Sequence, residues 1–134
     1  MTAIASQSPV TQGSRALVWV GRVVSALPAL ALLASSAAKL SQQPKMLEMF
    51  TGHLGFQPGA LTAIGLLELI CTVIYLIPRT AVLGAALLTA YLGGAVAIHV
   101  RVGDPFALPV VLGVLVWLGL YLRDVRLRAV AWRR

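Results

Sequence analysis

Apolar residues in this chain gather into four long runs, at roughly 17–39, 60–77, 80–100 and 106–122, separated by short polar breaks. As helices rising about 1.5 Å per residue, runs of this length reach across a hydrocarbon layer of about 30 Å. Pro78 and Arg79 divide the second run from the third, and Gly103, Asp104 and Pro105 divide the third from the fourth. Such residues end helices and are unwelcome in lipid, so both connections are expected to be tight hairpins. The longer break, SQQPKMLEMFTGHLGFQPG at 41–59, mixes Met46, Leu47, Met49, Phe50, Leu54 and Phe56 with polar groups. That mixture predicts a short helix lying in the membrane interface.

The pattern predicts an all-α membrane protein: an antiparallel four-transmembrane-helix bundle over residues 15–124, with an interfacial segment between its first and second helices. Residues 1–14, rich in Ser, Thr, Gln and Gly and without a basic leader, read as a flexible tail rather than a signal peptide, so the first helix is expected to stay uncleaved. Residues 125–134 form a basic tail. With 59% hydrophobic and only 11% charged residues, the composition departs from that of a soluble domain and leaves little sequence for a separate water-exposed core.

Charge then orients the helices. If both termini are cytoplasmic, Arg15, Arg22, Arg79, Arg123, Arg126, Arg128, Arg133 and Arg134 fall inside, and only Lys39, Lys45 and Arg101 fall outside. This is the asymmetry expected of a multi-pass protein of the bacterial cytoplasmic (inner) membrane. The net charge of +7 is thereby absorbed by topology and by anionic membrane lipids, and the tail RDVRLRAVAWRR reads as a membrane-surface helix rather than a nucleic-acid patch.

Candidate chemistry is sparse. Cys71 is the single cysteine, which excludes an internal disulfide and a CxxC pair. No HExxH, GxSxG, Walker or GxGxxG pattern is present, and two histidines 46 positions apart make no metal site by themselves. No cofactor is evident and no catalytic residue is identified.

Polar residues inside the apolar runs are the informative ones. Glu68 falls near the middle of the second run, where an unpaired charge costs about 2.5–3.5 kcal/mol, so it should face the interior. Gly65, Glu68, Cys71, Thr72 and Tyr75 share its helical face. Glu68 is a proton-handling or ligand-binding candidate; the alternative is a protonated carboxyl that only holds helices together. In the first run, Ser25, Leu32, Ser36 and Lys39 share a face, and Lys39 either complements a carboxylate or, as lysines near helix ends more often do, snorkels outward. Glu68 is expected to reach Ser36, Tyr91 or Lys39. Tyr91, Ala95 and His99 stand four apart and are expected to line one path toward the outer surface. His99, Arg101 and Asp104 would close that path as a polar lid, or else merely cap and anchor a tight turn. Ala81, Ala85, Thr89, Gly93 and Ala97 form a small-residue ladder suited to close packing against another helix or another copy.

Five stretches carry a resemblance: SSAAKL at 35–40, the GLLE entry within 54–105, its YLIPRTAVLG hairpin and LGGAVAIHVR exit, and WLGLYLRD at 117–124. In these the chain resembles the DoxX-like family of small four-helix bacterial membrane proteins. The resemblance implies the bundle fold and places the family's polar positions at Lys39, Glu68, His99 and Arg101. The family takes its name from a subunit associated with thiosulfate:quinone oxidoreduction, which implies a link to membrane redox systems.

Three functions are consistent with these features. The first is an accessory or quinone- or lipid-binding subunit of a membrane redox system, with Lys39, Glu68, Tyr91, His99 and Arg101 as ligand-binding or proton-handling candidates. The second is a non-catalytic membrane anchor or assembly protein, and the third a small transporter that would have to dimerise. The expected partners are membrane lipids, a lipophilic small molecule, a second copy or a redox-enzyme subunit, and no nucleic acid.

Overall fold

The structure, a computed structural model, describes residues 10–131, with side chains from residue 15. Helix is the only regular structure among the described residues. The elements are α1 (Val10–Leu40), α2 (Pro44–Glu48), α3 (Ala60–Leu76), α4 (Ala81–Val102), α5 (Ala107–Arg123) and α6 (Val125–Ala131). A π-helical turn, Met49–His53, prolongs α2, and a 3-10 turn, Pro78–Thr80, leads into α4. α1 begins at Val10, inside the segment expected to be a flexible tail; residues 1–9 and 132–134 lie outside the described residues.

Breaks fall where backbone chemistry requires them. Ile77, extended at φ −80° and ψ 120°, ends α3 just before Pro78, as expected for a residue preceding proline. Gly103 closes α4 at φ 77°, and the Asp104 amide donates to His99 O across it, the left-handed ending that glycine adopts without strain. Asp104 therefore contributes its backbone to this turn. At the end of α5, Asp124 is extended and its Oδ1 accepts the amide of Arg126 at 2.9 Å, so that α6 starts afresh at 98° to α5.

Four crossing helices were expected. By length and apolarity two qualify, Arg15–Leu40 and Pro78–Val102, and a third does if α5 and α6 are taken together as one bent span. α3 is apolar but has 17 residues, the lower end of the length that crosses the layer at about 1.5 Å each, because Ile77 and Pro78 end it early.

α1 packs against α3 and α5, and α4 packs against the same two helices from the other side. Large apolar side chains such as Trp19, Leu30, Leu67 and Val114 point outward, while small and polar ones turn in. Ser25, Leu32, Ser36 and Lys39 of α1 are all buried, as are Gly65, Glu68, Cys71, Thr72 and Tyr75 of α3. With lipid as the outer solvent, no hydrophobic penalty attaches to an outward leucine, and close backbone approach decides the interior.

Such approaches concentrate at one end. A Cβ on Gly84 would collide with the backbone of Tyr75, and one on Gly119 would fall 2.7 Å from the amide nitrogen of Ser25. The Tyr75 hydroxyl uses the resulting proximity, donating to Val116 O at 2.8 Å and lying 3.0 Å from Ser25 Oγ, so that α3, α5 and α1 are tied together. Arg123 donates to Tyr75 O at 3.0 Å and lies over its ring.

The α4 ladder divides. Ala81 and Ala85 are buried, together with Gly84, Leu88 and Leu92, whereas Thr89, Gly93 and Ala97 are exposed, and a Cβ on Gly93 would meet nothing within 4 Å. Thr89 accepts from Trp117 Nε1 at 2.7 Å on that outer face.

Candidate functional site

At the opposite end from Tyr75, the last turns of α1 reach the first half of α3 and the middle of α4. Gly65 permits this, since a Cβ there would come within 3.0 Å of Lys39 Cβ. The lysine stem therefore lies across α3 and delivers its ammonium inward. Lys39 Nζ donates to Glu68 Oε2 at 2.6 Å, with the two side chains 8% and 2% exposed. It also donates to Ser35 Oγ at 2.6 Å and to the Tyr91 hydroxyl at 3.2 Å. Ser35 donates in turn to Glu68 Oε2 at 3.3 Å, and the Tyr91 hydroxyl hydrogen-bonds the same carboxylate. The rings of Phe50 and Tyr91 flank the ammonium, each centroid 5.9 Å away.

This geometry corrects the snorkelling expectation for Lys39. A lysine free to reach water leaves the interior, but here a carboxylate one helix away and a glycine beneath the stem make the inward rotamer the paired one. The partners expected for Glu68 divide accordingly: Lys39 and Tyr91 reach it, whereas Ser36 turns its hydroxyl back to Leu33 O at 2.9 Å and Ser35 takes its place. Both signs of charge are present and each donor hydrogen of Lys39 has an acceptor, which is how a buried pair avoids an orphaned charge.

The segment after α1 covers this cluster. Phe50 and Leu54 are buried against Leu61, with Ile64, Ile98 and Val102 packed alongside, and Phe50 stacks on Phe56 at 5.6 Å between centroids. Arg101 donates to Leu54 O and His53 Nε2 pairs with Asp104 Oδ2 at 2.8 Å, so the end of α4 fastens the segment at two points. Arg101 and Asp104 thus act on the covering segment rather than on Glu68. His99 bonds Ala95 O through Nδ1 at 2.6 Å, within its own helix, and among the described residues no hydrogen bond joins it to the Glu68 cluster.

Ser35 and His53 had no place in the sequence reading. Ser35 adjoins Ser36 on the helix, so spacing alone does not choose between them. His53 meets Asp104 only through the path of a loop, for which no periodic signal exists.

Neither the curated proteins nor the solved structures contain a match to this chain. The family model described as the DoxX-like family matches residues 23–119, a span that holds Lys39, Glu68, Tyr91, His99 and Arg101, the whole of α3 and α4, and the greater part of α1 and α5. The chain belongs to the DoxX-like family.

Proposed function

We propose that this protein is an antiparallel four-helix bundle of the bacterial cytoplasmic membrane, with both termini cytoplasmic. In this reading it is an accessory subunit of a membrane redox system that takes the head of a quinone or a lipid at its outer end. The observation that carries the reading is the Lys39–Glu68 pair, buried at 2.6 Å beneath a segment lined with Phe50 and Phe56. A bundle needing cohesion alone obtains it from small-residue packing, whereas an ion pair under an apolar cover suits a molecule with a polar head and an apolar body.

The chemistry follows from the proton on Glu68. While the carboxylate is charged, Lys39 is fully engaged. When Glu68 takes up a proton the pair loosens, and a lysine N–H becomes available to a carbonyl oxygen of the bound molecule. Tyr91 can then donate its hydroxyl proton to the same oxygen. His99, about two turns along α4 from Tyr91 with Nδ1 bound to Ala95 O, leaves Nε2 for a further hydrogen bond. The test is mass spectrometry of quinones and lipids extracted from gently purified wild type, Glu68→Gln and Lys39→Gln. Stoichiometric quinone or lipid in wild type and its loss from the folded variants is expected; wild type without either, or equal retention in all three, overturns the reading.

One observation favours a second reading, that of a non-catalytic anchor or assembly protein. The three donor hydrogens of Lys39 already have partners in Ser35, Glu68 and Tyr91, so the cluster is complete without a guest. A protein partner recovered in stoichiometric amount with both wild type and Glu68→Gln, and no bound lipophile, would select it.

A further inference from the structure

At the end of the molecule away from Glu68, a cavity of about 470 Å³ opens between α1, the α3–α4 turn and the α5–α6 bend. Arg22, Arg79, Arg123 and Arg126 line it, and Asp124 is its single acidic residue. Asp124 is already occupied, since its Oδ1 accepts the amides of Arg126 at 2.9 Å and Leu127 at 3.4 Å. The ion pairs among the described residues join Lys39 to Glu68 and His53 to Asp104, and neither involves these arginines. Arg123 is held in place by Tyr75 O, and Arg22 lies over the exposed Trp19 ring at 5.0 Å, so two of the four guanidinium groups already contact the fold before anything binds. Four like charges around one opening repel each other unless an anion shares them, and guanidinium groups match the paired oxygens of a phosphate.

We propose that this cavity is a binding site for a phosphate group. Arg123 and Arg22 reach it from α5 and α1, and Arg79 and Arg126 close on the ligand from the turn and from α6. Leu120 contributes an apolar wall, which suits a phosphate carried on an apolar body. Two sources share this chemistry, the phosphodiester head of an anionic lipid and a free phosphate or diphosphate. The site is distinct from the Lys39–Glu68 cluster and does not depend on what that cluster binds.

The experiment places the full-length protein in nanodiscs of phosphatidylcholine. Native mass spectrometry then measures binding of added phosphatidylglycerol and, separately, of inorganic pyrophosphate. Arg79→Gln and Arg126→Gln remove exposed guanidinium groups with no hydrogen bond to the fold among the described residues, and Arg15→Gln removes a charge from the same end but outside the cavity. Each cavity variant is expected to weaken binding about fivefold and the pair roughly thirtyfold, while Arg15→Gln changes it less than about twofold. Weakening confined to phosphatidylglycerol identifies a lipid head group; weakening of pyrophosphate binding identifies a free phosphate. Absence of binding by both probes, or equal losses from Arg15→Gln and the cavity variants, overturns the site in favour of unspecific attraction. Matching thermal midpoints across the variants establish that a loss of binding is not a loss of fold.

Discussion

Lys39 and Glu68 lie 29 positions apart in sequence and 2.6 Å apart in space, each almost wholly removed from the surface. Removing one partner leaves the other as a buried, uncompensated charge, while removing both leaves only a packing change. Lys39→Met is therefore expected to destabilise the protein by about 3 kcal/mol and the double variant Lys39→Met with Glu68→Leu by clearly less. Denaturation in detergent across the four-member cycle measures the difference; additive losses would mean that the pair is not coupled.

Tyr75 contributes through its hydroxyl as well as its ring. Tyr75→Phe keeps the ring under Arg123 but removes the bond between helices to Val116 O, which retains its donor within α5, and is expected to lower stability by about 0.5–1.5 kcal/mol. Thermal unfolding followed by circular dichroism gives the shift. A midpoint equal to that of wild type would show that the hydroxyl does not tie the helices together.

Glycines of α4 should divide sharply by face. Gly84→Val must push α4 off the Tyr75 backbone and is expected to cost more than about 3 kcal/mol or to prevent folding. Gly93→Leu meets open space and should leave the thermal midpoint unchanged within about 0.5 kcal/mol. A large shift from Gly93→Leu, accompanied by a change in particle size, would place a second copy on that face.

The proposed topology can be read with an impermeant maleimide, because Cys71 is buried and supplies a quiet background. Lys45→Cys should label in intact cells and Arg126→Cys only after the membrane is opened. The reverse pattern would invert the protein.

Arg101 and His53 hold the segment over the Glu68 cluster, so Arg101→Gln should raise amide exchange around Leu54 at least about tenfold while leaving α3 protected. Equal exchange in variant and wild type would mean that packing of Phe50 and Leu54 alone holds the segment.

The inner face of α3 was legible because Gly65, Glu68, Cys71, Thr72 and Tyr75 follow the helical period, and a carboxylate in an apolar run can face only one way. The inner face of α1 was legible for the same reason. The α4 ladder was misleading beyond Ala85, since steps of four residues drift by about 40° each against a 3.6-residue turn, and by Thr89 the stripe has left the interior. The true stripe advances through Ala81, Ala85, Leu88 and Leu92, where one step of three among steps of four keeps it on the helical period. Contacts that depend on the path of the chain between helices, such as His53 with Asp104 and Arg101 with Leu54, leave no periodic trace in the sequence.

Pairing Lys39 with Glu68 also bears on how the chain enters the bilayer. Glu68 alone would add about 2.5–3.5 kcal/mol to the insertion of α3 near the centre of the layer, and Lys39, near the end of α1, a smaller cost, but α1 and α3 entering together pair the two charges. The two are therefore expected to leave the translocation machinery as one unit, α1 waiting at its side until α3 has been made. Crosslinking of stalled nascent chains tests this: Lys39→Leu should release α1 into lipid before Glu68 is synthesised, whereas the wild-type helix should linger.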